Sequence, residues 1–190
     1  MGNGFEANRE TRTKLDAKEQ YFLDRADEVV AHCRNHSAFV FLEAAALLGY
    51  LAKAAGFEGS KGYGRFVREQ LQQVRPEYAT FQYADGNEDL PEQMYYVLRC
   101  GLVHSFSLAP DKAARSHGGR VRSIVLCHRN AGLNHLSRHV EVDAAVFVAE
   151  DFAEDLHALV GRLFENARQN GVLANHIVRH LDDHPPISST

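Results

Sequence analysis

Two side chains near the middle of the chain, Arg99 and His104, carry functional groups that can act together on a phosphate ester. The planar guanidinium of an arginine binds two phosphate oxygens at once, and the imidazole of a histidine gains or loses a proton near neutral pH. In an ideal α-helix, residues five positions apart lie about 140° apart in azimuth and roughly 7.5 Å apart along the axis. One phosphate can therefore contact both side chains only where the helix loosens near Gly101, or where a second copy of the helix lies alongside.

The segment from Arg99 to His104, RCGLVH, resembles the R-x4-6-H motif of the HEPN domain, an all-helical family of dimeric, metal-independent ribonucleases, nucleotide-binding toxins and inactive relatives. The resemblance implies attack of an RNA 2′-hydroxyl on the adjacent phosphate, with Arg99 binding the phosphate and His104 acting as general acid or base. It implies a toxin or defence component without a cofactor. It also implies a homodimer that brings Arg99 of one chain to His104 of the other, with an antitoxin or regulatory protein as a further partner.

One position of the motif departs from the pattern of the active members of that family. The residue after the arginine is usually polar there, often asparagine, whereas this chain has Cys100. A thiol is a weak hydrogen-bond donor, so a contact that steadies the site is missing. Two alternatives to catalysis stay open: a non-catalytic helical dimer that binds nucleotide, RNA or a protein partner, and a structural dimer that recognises another protein.

The residues around the motif predict the helix that must position it, over residues 89–106. Asp89 can cap the N-terminus of this helix, and Pro91 is tolerated in its first turn. Apolar residues then recur at helical spacing and predict a face turned towards a core. The residues on this face are Met94, Tyr95, Leu98, Leu102 and Phe106.

The rest of the chain predicts a mainly α fold, an up-and-down bundle of about five or six helices with a β-hairpin insertion before the penultimate helix. The glycine-rich residues 56–64 lack the Gly-Lys-Ser/Thr ending of a Walker phosphate loop, so we expect a flexible connection there. The very apolar second helix is expected at the centre of the core. The other helices are predicted over residues 14–34, 38–55, 63–74, from between 143 and 151 to about 170, and 172–182.

A change to β-branched residues predicts that the hairpin occupies about residues 119–142, with 120–128 pairing to 139–142. Residues 111–140 contain six basic side chains and a single acidic one. We therefore expect Lys112, Arg120 and Arg122 to attract an RNA backbone in a salt-sensitive manner. A decorative insertion without RNA contacts is the alternative.

Composition predicts one domain over residues 13–186 after a disordered tail at 1–12. The chain has 190 residues, of which 45% are hydrophobic and 24% charged, with a formal net charge of -4. Three cysteines without CxxC spacing, no long apolar run and no signal-peptide pattern predict a cytoplasmic protein without membrane contact. His176, His180 and His184 share one face of the last helix, but no neighbouring carboxylate motif supports a metal there, and we expect none.

Overall fold

The computed structural model describes residues 9–34, 39–103 and 122–184, which form a mainly helical fold with one small sheet. The α-helices are α1 (Arg9–Cys33), α2 (Phe39–Ala54), α3 (Gly59–Glu69), α4 (Glu77–Thr80), α5 (Leu90–Gln93), α6 (Ala149–Gln169) and α7 (Gly171–Asp183). A π-helix, Met94–Leu102, continues α5, and single 3-10 turns occupy Leu71–Gln73 and Arg129–Ala131. The strands are β1 (Ile124–Cys127), β2 (Arg138–His139) and β3 (Ala144–Val148).

The longest helices surround one hydrophobic core. α1 packs along α6 and α7, and α2 contacts all three of these helices. Phe22 of α1 and Phe164 of α6 meet with their ring centroids 5.8 Å apart. Nine of the sixteen residues of α2 are buried, which confirms the predicted central place of this helix. No described helix is by itself long and apolar enough to span a membrane, and α2 passes that test only together with residues 59–73, a pair bent by 96°.

The sheet differs from the predicted hairpin. Its strand order is β1-β3-β2, with β1 parallel to β3 and β2 antiparallel to it. Ile124 faces Ala145 in the first pairing, and Arg138 faces the same residue in the second. Residues 124–127 and 138–139 therefore flank a third strand instead of pairing with each other. β3 was not predicted: its residues lie in the range 143–151, where the start of the next helix was left open, and all five of them are buried.

Two helices begin earlier than predicted. α1 begins at Arg9, inside the segment that was expected to be disordered, and residues 1–8 lie outside the described residues. α3 begins at Gly59, so six of the nine residues of the expected flexible connection are helical. Gly62 shows why this segment needs glycine, because a Cβ there would lie 2.9 Å from the backbone carbonyl carbon of Phe57. Glycine is therefore needed at position 62 because α3 packs closely against the backbone of Phe57, and not because the segment is flexible.

Candidate functional site around Arg99

Arg99 lies on a π-helix, whose turns are wider than those of an α-helix. Residues 94–102 have i→i+5 hydrogen bonding, and the N–H of Val103, which follows them, is shared between the Cys100 and Leu98 carbonyls. The helix is thus loosened through Gly101, which is one of the two ways in which Arg99 and His104 could approach a common phosphate. Such turns are rare and frequently occur at functional sites. His104 and Phe106 lie outside the described residues.

The side chains that begin this helix have other partners than predicted. Asp89 occupies the N-cap position of α5 but makes no capping hydrogen bond. Its carboxylate accepts instead from Gln93 at 3.0 Å and from Arg122 at 3.0 Å. Glu92 forms a two-pronged ion pair with Arg68 of α3, at 2.6 and 2.7 Å. These contacts fix α5 and the π-helix against α3 and the sheet, and so position Arg99.

A recess of about 330 Å³ lies beside Arg99, between α2, the start of α3 and the π-helix. This volume is in the usual range for small-ligand sites. α2 contributes Gly49 and Lys53 to the lining. Gly49 allows the arginine to pass close to α2, since a Cβ there would lie 3.3 Å from Arg99 Cγ. Lys53 is exposed and Arg99 is half-buried, so two cationic side chains border one concave surface.

The N-terminus of α3 forms the opposite wall of the recess through Glu58 and Gly59. Glu58 is the N-cap residue, yet its side chain makes no capping hydrogen bond. The first N–H groups of a helix have no partner within the helix and carry the positive end of its dipole. This wall therefore adds positive potential to that of the two cations, while the exposed Glu58 carboxylate opposes it.

Tyr63 and Tyr95 line the remaining side of the recess. Tyr63 is only 3% exposed, and its hydroxyl has no hydrogen-bond partner among the described residues. Burial raises the pKa of Tyr63, and the positive charge of Arg99 opposes that rise, so the phenol stays protonated near this arginine. The Arg99 guanidinium carbon lies 5.7 Å from the centre of the Tyr95 ring. The recess thus combines cations with hydrogen-bond donors, which is the chemistry that binds an anion.

Arg122, one of the predicted RNA contacts, lies in a different place and has other partners. Its side chain is 3% exposed and donates to Asp85 at 2.7 Å and to Asp89 at 3.0 Å. A third carboxylate, that of Asp143, lies 3.8 Å away, and the guanidinium covers the Tyr83 ring at 4.2 Å. An RNA contact by this residue stays a prediction, but the position of its charge indicates a structural role at the sheet.

The other basic residues of the predicted RNA-facing segment do not gather around the recess within the described chain. Arg129 pairs with Asp151 and Glu154 at the start of α6, and Arg138 is exposed on β2. Lys112 and Arg120 lie outside the described residues. The aromatic residues between α3 and α5, Tyr78, Phe81 and Tyr83, are buried and form part of the core.

Two other features of the structure do not provide an anion or metal site. A cavity of about 560 Å³ between α1 and α2 is larger than the recess, but its wall is mostly apolar. Arg25 and His32 in its lining already pair with Glu28 and Glu43, so it does not suit an anion. Across the described residues, no group of three or more His, Cys, Asp or Glu side chains is placed to hold a metal ion. His180, from the predicted histidine face, packs instead against the Tyr50 ring with centroids 5.5 Å apart.

Comparison with known proteins gives no relative, because no family model, curated protein or solved structure matches the chain. The function must therefore be inferred from the sequence and the geometry of the site, without the help of a relative. The sequence pointed to Arg99 but not to Lys53, Tyr63 or the start of α3. The signal that could have found Tyr63 and the start of α3 is the glycine-rich segment 56–64, whose helical part begins at the wall of the recess, whereas Lys53 on α2 had no such signal.

Proposed function

We propose that this protein is a metal-independent endoribonuclease of the HEPN type, with Arg99 as the phosphate-binding residue and His104 as the proton-transfer residue. In the reaction, the RNA 2′-oxygen forms a bond to the adjacent phosphorus while the bond from phosphorus to the 5′-oxygen breaks. His104 accepts the proton of the 2′-hydroxyl or donates one to the leaving oxygen. Arg99 stabilises the negative charge that accumulates on the phosphate oxygens.

The observation that carries this proposal is the π-helical hydrogen bonding of the segment that holds Arg99. In an α-helix the two residues of the motif would lie about 140° apart, too far round the helix to share one phosphate. The i→i+5 bonding extends over residues 94–102, the Val103 N–H is shared between the Cys100 and Leu98 carbonyls, and each residue of a π-helix turns the chain by a smaller angle. Residues five apart then approach one face, and a homodimer with the two helices side by side would supply the same convergence between chains.

Labelled RNA incubated with the protein in EDTA tests the proposal. We expect cleavage products that end in a cyclic phosphate, and we expect His104→Ala to abolish them while the fold is kept. His157→Ala is the matched control, because the His157 side chain on α6 is 45% exposed and pairs with Asp27, away from the recess. Cleavage by His104→Ala at the rate of the unchanged protein would remove His104 from the mechanism.

A second candidate function is binding of a nucleotide or RNA without cleavage. The observation that favours it is the preformed recess beside Arg99, whose cationic side chains can hold an anion without any histidine. Cys100 agrees with this alternative, because a thiol replaces the polar residue of active HEPN proteins. In the same experiment, RNA that is retained by the protein but stays intact identifies this function.

A further inference from the structure

The recess beside Arg99 has more positive potential than the binding of one backbone phosphate requires. Lys53 on α2 and Arg99 on the π-helix border it, and the uncapped N-terminus of α3 faces them. Glu58 is the only carboxylate among its described lining residues, and it is exposed. The balance of these groups favours a ligand with two negative charges over a singly charged one.

Tyr63 is the second and independent sign of a ligand. A buried hydroxyl without a partner costs free energy, so each such group in a folded protein calls for an explanation, of which a missing ligand contact is one. The hydroxyl of Tyr63 is of this kind among the described residues, and the side chain lines the recess. Its pKa is raised by burial and responds to the charge of Arg99, so the hydroxyl is a neutral donor close to that cation.

We propose that this recess binds a phosphate monoester, with Arg99, Lys53, the Tyr63 hydroxyl and the first amides of α3 as its donors. A monoester carries between one and two negative charges near neutral pH, whereas a phosphodiester carries one. The ligand class is thus a terminal phosphate, as on a mononucleotide or an RNA end, or free inorganic phosphate. A role in holding an RNA end next to the cleavage site rests on the proposed function, because Arg99 belongs to both sites.

Calorimetric titration with three probes tests the site itself. Inorganic phosphate and adenosine monophosphate should both bind, and added salt should weaken both, while adenosine should not bind. Tighter binding of the monophosphate identifies a nucleotide or RNA end as the ligand, and equal affinity identifies free phosphate. If neither phosphate compound binds at millimolar concentration, the proposal is wrong.

Two tyrosine variants separate a ligand-binding hydroxyl from a merely buried one. Tyr63→Phe should raise the Kd for phosphate about tenfold, because it removes one hydrogen bond to a charged group. Its melting temperature should stay unchanged or rise, since a buried unpaired hydroxyl is removed. Tyr83→Phe is the matched control: its hydroxyl is also buried without a partner among the described residues, but Tyr83 does not line the recess. An unchanged Kd in Tyr63→Phe would overturn the assignment of this donor.

Lys53→Met and His104→Ala complete the test. Lys53 is exposed, so its loss should leave the fold intact and weaken phosphate binding about threefold. His104→Ala should still bind phosphate although it no longer cleaves RNA. Cleavage by a protein that does not bind phosphate would refute the recess and leave the proposed nuclease standing. Phosphate binding by a protein that cleaves no RNA in EDTA would support the recess and refute the nuclease.

Discussion

Asp155 of α6 is a nearly buried carboxylate held by three side chains from elsewhere in the chain. Arg75 donates to its two oxygens at 2.7 and 3.0 Å, and the Tyr78 hydroxyl donates at 3.0 Å. The Nε2 of His135 lies 3.4 Å from the carboxylate and 3.0 Å from the Tyr78 oxygen. Because the Val148 N–H donates to Nδ1 of His135, a neutral ring carries its proton on Nε2, which then faces both acceptors.

Replacing this carboxylate should destabilise the protein strongly. Asp155→Asn leaves the Arg75 charge without its partner and puts an NH₂ group where an acceptor is needed, so we expect a loss of about 3 kcal/mol in the free energy of unfolding. Glu154→Gln is the control one residue away, where an exposed pair with Arg129 is lost at a cost below about 1 kcal/mol. Urea unfolding followed by circular dichroism measures both. Equal losses in the two variants would show that the buried network contributes little.

At the scale of single residues, the sequence indicates which side chains could take part in chemistry, but not which groups surround them. The pair of Arg99 and His104 could be singled out because residue type and spacing are local properties. The partners of Arg122 could not, since the carboxylates of Asp85 and Asp143 approach it only after the chain has folded. A cluster of like charges in the sequence therefore predicted an RNA-facing surface where the structure pairs two of its arginines, Arg122 and Arg129, with acidic side chains.

The helices could largely be predicted, and the sheet could not. α6 and α7 have clear apolar periodicity, and α2 is a long apolar segment. The predicted positions of these helices and of α1 are confirmed to within a few residues apart from the early start of α1. β3 has the sequence AAVFV, in which every residue is buried, so it lacks the alternation that distinguishes a strand from a helix. Parallel pairing of β1 with β3 joins segments far apart in sequence, which local turn signals do not report.

The π-helix had no sequence signal either. Met94, Val97, Leu98 and Gly101 are its buried residues, and this spacing fits an α-helix equally well. Contacts with other elements must therefore select the wider turn. Two such contacts are the ion pair of Glu92 with Arg68 just before it and the close approach of Arg99 to Gly49 on α2.

Two glycine substitutions test whether the spacing between α2 and the π-helix matters. Gly161→Ala in α6 should stabilise the protein by about 0.5 to 1 kcal/mol, because its new Cβ has nothing within 4 Å and alanine favours the helix. Gly49→Ala should gain less stability and should weaken phosphate binding severalfold, because its Cβ would press on Arg99 at 3.3 Å. Thermal unfolding and phosphate titration measure the two effects. If both variants gain the same stability and bind equally well, the close approach has no function.

At the scale of the whole molecule, ion pairs join elements that are far apart in sequence. Arg122, just before β1, pairs with Asp85 in the turn before α5. Arg75, just after the first 3-10 turn, pairs with Asp155 of α6. Arg168 near the end of α6 bonds Asp16 and Glu19 of α1. Although the formal net charge is -4, many of the carboxylates are thus paired with cationic side chains. The stability of the fold should depend on those carboxylates staying ionised.

Acid should therefore weaken the fold in a predictable pH range. The hydrogen bond from Arg122 lowers the pKa of Asp85 to about 2. Burial acts to raise the pKa of Asp155, but hydrogen bonds from His135 and Arg75 outweigh it and lower the value. In the unfolded chain both carboxyl groups have a pKa of about 3.9. Because the folded values are the lower ones, this stabilisation is complete above about pH 4 and is lost as the pH falls towards 2.

Arg122→Gln isolates one part of that acid sensitivity. At pH 7 the variant should be less stable than the unchanged protein, because Asp85 and Asp89 lose the cation between them. As the pH falls from about 4 to about 2, the carboxylates become neutral in both proteins and the difference in unfolding free energy should shrink. Arg138→Gln, an exposed arginine on β2, should show no such pH-dependent difference. Urea unfolding at a series of pH values measures this, and a difference for Arg122→Gln that stays constant from pH 7 to pH 2 would contradict the electrostatic account.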